Sequence, residues 1–189
     1  MQQTVDEVAT SDANEFGFLA RIRRAVDVLR FRAAAIDEVA ADSAGTVSAA
    51  AIVMLAGVAA ASDSGLFLPA YAGMAVLYLA VSVAIAGVIH LGATRVLGAR
   101  GEFLAFYRAF AQTYLLLWLV GVPIVQVLLT WALWAWQIAV SVYCAERVYR
   151  LARVRAVGVV LVPLAALLLA VGLLSSFFAL LALVTGWLF

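Results

Sequence analysis

Four stretches of this chain contain no charged residue: 43–62, 64–94, 109–145 and 156–189, with lengths of 20, 31, 37 and 34 residues. A soluble domain cannot cover itself with polar groups along such lengths, and a helix needs about 20 apolar residues to cross the hydrocarbon of a bilayer. The four windows therefore hold between four and six spans, and a bilayer is the expected solvent for most of the 189 residues. Of the 23 formal charges, 13 fall in the first 45 residues, so the net charge of +1 conceals a strong asymmetry of position. The single Cys and single His exclude an internal disulfide framework and any cage of several Cys and His ligands.

Breaks within the windows place the spans. Gly121-Val122-Pro123 interrupts the third window, because proline lacks a backbone donor and restricts the residue before it. The expected spans are about 46–61, 71–93, 103–120, 123–144 and 156–187. Five spans are favoured; a hairpin at Ser175-Ser176 would make six, but would leave only 14 residues for the last. The fold class is an all-α polytopic transmembrane helical bundle over 43–189. Ahead of it, residues 1–13 read as a disordered acidic N-terminus without a cleaved signal peptide.

Residues 14–42 read as an amphipathic helix. Leu19, Ile22, Val26, Leu29, Ala33, Ile36 and Ala40 recur at spacings of three and four, with Arg21, Arg23, Arg24, Arg30 and Arg32 flanking the stripe. Such a helix can lie among headgroups with its guanidinium groups on phosphates, or pack on the protein's own cytoplasmic ends. Arg95, Arg100 and Arg108 sit at or beside the second-to-third connection, and Arg147, Arg150, Arg153 and Arg155 in the fourth-to-fifth. With five spans, all twelve Arg fall on one side. The positive-inside rule then gives a cytoplasmic N-terminus and an external C-terminus in the cell membrane. These arginines are candidate lipid or partner contacts, although topology alone would also put them there.

Inside the spans, Gln126, Thr130, Gln137, Ser141 and Cys144 occupy an arc of roughly 60° on the fourth helix. A polar face in lipid turns inward, as glue between helices or as the wall of a hydrated path. His90 and Cys144 close their helices at one level; together they offer too few ligands for a metal, and no acid is placed to orient the His. Arg108 lies one or two turns inside the third span, where it can snorkel. No carboxylate pair lies in a span, and neither a phosphate-binding glycine loop nor a nucleophile elbow occurs. The chain is therefore expected to be non-enzymatic, without cofactor or metal.

The stretch from Leu29 to about Leu164 resembles the bacterial branch of the Yip1-domain family of five-span membrane proteins. The resemblance is carried by Leu29-Arg-Phe-Arg-Ala-Ala-Ala-Ile-Asp-Glu-Val-Ala-Ala-Asp42, then Gly92-Ala-Thr-Arg-Val-Leu-Gly98, Gly101-Glu-Phe103, Phe110-Ala-Gln112 and Arg155-Ala156-Val157. The chain departs from the family pattern at Gly98-Ala99-Arg100-Gly101, where Gly-Gly-Lys is frequent, and at Tyr114, where Pro is common. What the resemblance implies is a polytopic α-helical protein whose eukaryotic relatives act in vesicle transport, with no catalytic residue to carry over. The expected function is a scaffold with a basic cytoplasmic face; a small transporter or channel using the fourth-helix stripe is the alternative. Membrane lipids are the expected partners, with a cytoplasmic protein and a second copy of the chain as further candidates, and nucleic acid is not.

Overall fold

A computed structural model describes residues 17, 19–62, 68–121 and 123–186. The expected disorder at 1–13, Asp63 and the extreme C-terminus lie outside these residues. Among the described residues the chain is all-helical, without a strand. The order is α1 (19–29), α2 (Ala33–Ala41), α3 (Gly45–Ser62), α4 (Leu68–Leu91), α5 (Phe103–Ala111), α6 (Pro123–Tyr149) and α7 (Arg153–Gly186). Helix α4 runs on into a π-helical turn at Gly92–Val96, and α5 tightens into a 3-10 helix over Gln112–Gly121. Two helical segments, Gly45–Ser62 and Leu68–Val96, are long and apolar enough to cross a membrane.

The N-terminal segment is two helices rather than one. Helix α1 ends in a Schellman closure: Arg32 N–H donates to Asp27 O (3.1 Å) and Phe31 N–H to Val28 O (3.0 Å). Phe31 occupies the left-handed position at φ 58°, which usually falls to glycine. Its ring compensates by packing edge-on against Trp136 (5.2 Å) and Tyr143 (5.6 Å), while Trp136 Nε1–H donates to Leu29 O at 3.0 Å. The buried face is Ala25, Val28 and Leu29 on α1 and Ala35, Ile36 and Val39 on α2. The expected stripe is displaced: Leu19 is exposed, and Ile22 and Val26 are only half-buried.

Helix α3 packs along α4 and along the 3-10 segment, which also lies on α6; α7 packs on α6 and on the end of α4. At the α3–α4 seam Gly57 permits backbone-to-backbone approach, since a β-carbon there would stand 2.5 Å from Met74 O. The centre holds Phe106, fully buried, stacked on Phe110 (5.6 Å) and tilted against Tyr149 (5.1 Å). Trp118 Nε1–H reaches Ile52 O at 3.0 Å and ties the 3-10 segment to α3. Helix α7 passes through Ser175-Ser176 without a break, with Ser176 Oγ–H returning to Gly172 O at 2.8 Å, so the hairpin of the six-span alternative is not formed. Its one internal proline is Pro163, which the sequence reading did not single out.

Candidate functional site

The arginine-bearing connections meet at one end of the bundle. Gly101, in the α4–α5 connection, lies against the C-terminus of α6, where a β-carbon would stand 2.5 Å from the Tyr149 ring. Helix α2 docks beside it, with Arg147 of α6 donating to Asp37 at 2.5 Å. Helix α6 closes in a second Schellman turn, Leu151 N–H to Glu146 O (3.1 Å), with Arg150 left-handed at φ 52°. Between α2, the first turns of α5 and this turn opens a cleft of about 840 Å³. Asp37, Glu102, Arg108, Glu146, Arg147 and Arg150 supply its charged lining.

Arg108 does not snorkel. It is 6% exposed and turns toward the end of α2, where Nε donates to Ala40 O at 3.2 Å and Nη2 donates to the same oxygen, while Nη1 approaches Thr46 Oγ1 at 3.4 Å. The last carbonyls of a helix have no partner within it and carry its negative dipole end, so a guanidinium there satisfies both. Among the described residues no carboxylate lies within ion-pair distance of Arg108.

The other arginines divide in two. Arg24 pairs with Asp42 (3.5 Å), Arg32 with Asp27 (3.0 Å), Arg147 with Asp37, and Arg153 with Glu146 (3.2 Å). Asp37, as hydrogen-bond acceptor and as a charge, raises the pKa of Arg147 above its ordinary value. Pairs this exposed orient side chains more than they stabilise the fold. Arg21, Arg23, Arg30, Arg95, Arg100, Arg150 and Arg155 have no carboxylate partner among the described residues, and Glu38 and Glu102 have no cationic one. Four of the eleven candidate contacts are thus already engaged within the chain.

His90 pairs with Tyr149 rather than with Cys144: its Nδ1 lies 2.9 Å from the Tyr149 hydroxyl, and its ring stands edge-on to Phe103 at 5.7 Å. Burial pushes the Tyr149 phenol pKa upward. Cys144 is fully buried. Among the described residues no group of three His, Cys, Asp or Glu side chains is placed to hold a metal. Sequence reasoning singled out His90 but missed Tyr149, whose hydroxyl is its partner.

The polar stripe of α6 faces inward from its middle. Gln137 Nε2 donates to Thr113 Oγ1 of the 3-10 segment at 3.5 Å, and Ser141 Oγ–H returns to Gln137 O at 2.7 Å. Gln137 Oε1 is buried without a partner, and Gln137 and Ser141 line a small cavity of about 50 Å³. Thr130 is half-buried and the side chain of Gln126 lies outside the described residues. Thr113, fully buried, and Ser82, 3.3 Å from the Tyr107 hydroxyl, extend the polar interior beyond the stripe. Comparison with known proteins finds no matching family model, no similar curated protein and no similar solved structure.

Proposed function

We propose that the chain is a non-enzymatic, Yip1-like multi-pass protein of the cytoplasmic membrane, with five spans and a cytoplasmic basic platform that attracts anionic surfaces of lipid or protein. The observation that carries this reading is the convergence of α2 and both arginine-bearing connections on one end of the bundle. Span lengths support it. The α5 and 3-10 segments together rise about 33 Å, because ten residues at about 2.0 Å each outreach the same number in α geometry, and the hydrocarbon is about 30 Å thick. Exposed apolar side chains, among them Leu77, Val88, Trp131 (87% exposed), Leu169 and Leu173, suit contact with lipid tails.

The test substitutes Arg21, Arg23 and Arg30 together by Gln, since these are exposed and unpaired and their loss leaves the packing of α1 intact. Proteoliposomes of the native chain should cluster acceptor vesicles containing phosphatidylglycerol, and the triple variant should not. Equal clustering by both would sink the platform. A second reading, a small transporter or channel along α6, draws on the unpartnered Gln137 Oε1 beside its cavity; solute flux that Gln137→Leu abolishes would establish it.

A further inference from the structure

We propose that the charged cleft and the apolar groove beside it together hold one phospholipid with a phosphoethanolamine headgroup; this rests on the membrane placement proposed above. The pairing pattern selects the headgroup. Of the three carboxylates lining the cleft, Asp37 is held by Arg147 and Glu146 by Arg153, which leaves Glu102 as the anion without a partner. Of the three guanidinium groups, Arg150 has no partner and Arg108 is bound only to a carbonyl and a hydroxyl oxygen. Two cations and one anion remain to be answered. A phosphate between Arg108 and Arg150, with an ammonium on Glu102, answers all three with charge-assisted hydrogen bonds. A purely anionic headgroup leaves Glu102 facing negative charge. A quaternary choline has no N–H to give it.

The groove supplies the place for a tail. Helices α6 and α7 and the Phe31 ring enclose about 630 Å³ lined by Ile138, Val142, Tyr143, Val157 and Leu161. Glu146 lines both spaces, so they adjoin at one residue of α6, and Arg153, paired with Glu146, lines the groove as well. An amphiphile whose head enters the cleft therefore finds an apolar track running along α6 away from the charged end. Both volumes fall in the range of small-molecule sites. The left-handed turn at Arg150 places that side chain on the rim of the cleft, exposed and uncommitted.

The experiment titrates the delipidated full-length chain in detergent with phosphatidylethanolamine, phosphatidylglycerol, phosphatidylcholine and free glycerophosphoethanolamine, reading bound lipid by native mass spectrometry. The native chain should prefer phosphatidylethanolamine over the other two lipids by about tenfold, one well-made charged hydrogen bond's worth of discrimination. Arg150→Gln should weaken binding of phosphatidylethanolamine and phosphatidylglycerol alike. Glu102→Gln should remove the preference between them. Val142→Trp, which fills the groove, should weaken the lipid without creating a preference for another head. Unchanged binding in Arg150→Gln and Glu102→Gln, both exposed positions outside the core, would overturn the proposal, as would free glycerophosphoethanolamine competing on equal terms with the lipid. The triple substitution of Arg21, Arg23 and Arg30 separates the two readings. Clustering by that variant equal to the native chain's, with the phosphatidylethanolamine preference lost in Glu102→Gln as expected, sinks only the platform; clustering lost in the triple variant, with binding unchanged in Arg150→Gln and Glu102→Gln, sinks only the lipid site.

Discussion

Replacing Gly57 by alanine should force α3 and α4 apart. The added β-carbon would stand 2.5 Å from Met74 O and 2.9 Å from both Met74 C and Ala75 Cα, all of them backbone atoms that cannot swing aside. Ordinary contact begins near 3.5 Å, so the helices must separate by about 1 Å, and a gap of that size forfeits between a quarter and a half of each dispersion contact across the seam. In lipid no hydrophobic gain holds two helices together, so close packing carries the association. Overpacking of this kind costs about 2 kcal/mol, and Gly57→Val should cost more. Gly73 and Gly87, in α4, have nothing within 4 Å of the same added atom, and alanine there should stabilise by up to about 1 kcal/mol through helix propensity. The contrast between Gly57→Ala and Gly87→Ala is then about 3 kcal/mol, roughly a hundredfold in the unfolding constant. Steric trapping in bicelles measures it. If the two variants are equally stable, the seam is not the close contact described.

Three further outcomes follow from the arginine-rich end. Arg150→Gly should stabilise the lipid-free protein by about 1 kcal/mol, a rise of about 2–4 °C in melting temperature, because glycine accepts φ 52° without the penalty an L side chain meets. Arg108→Leu should destabilise by about 2 kcal/mol in a denaturant titration, since it leaves the half-buried Ala40 carbonyl without its charged donor; Arg108→Lys should recover part of the loss. The raised Tyr149 pKa means that above about pH 10 the unfolded chain releases a proton that the folded one keeps, so this stability is complete below that pH and falls as pH rises through the folded pKa. Tyr149→Phe should flatten the alkaline slope of the unfolding free energy, and an unchanged slope would show that the phenol is not protected.

Helices α3 and α4 were legible because each lies in a charge-free window long and apolar enough to cross a membrane, and the start of α6 at Pro123 was legible because proline's constraint is local. The division of the N-terminal segment at Arg30–Arg32 was not. Apolar spacing runs on through Phe31, and the left-handed turn is stabilised by Trp136 and Tyr143, more than a hundred residues away. The 3-10 geometry of Gln112–Gly121 was equally hidden, because after Gln112 and Thr113 the stretch is almost continuously apolar and offers no pattern that separates three residues per turn from 3.6. At the site, the sequence identified Arg108 as a charge needing accommodation but sent it toward solvent. Its actual partner is a backbone carbonyl at the end of α2, and backbone acceptors have no residue signature. Likewise His90 was noted for its chemistry, while its hydroxyl partner on Tyr149 depended on how closely Gly101 lets the α4–α5 connection approach.

The central claim is that the chain weaves through a bilayer with its arginine-rich end on the cytoplasmic side. Single cysteines placed at Ser62, Arg100, Arg150 and Phe189 in a Cys144→Ser background, labelled in intact cells with a membrane-impermeant maleimide, test it directly. The account predicts labelling at Ser62 and Phe189 from outside, and at Arg100 and Arg150 only after the membrane is opened. Labelling of Arg100 or Arg150 in intact cells, or of Ser62 and Arg100 from the same side, would contradict it.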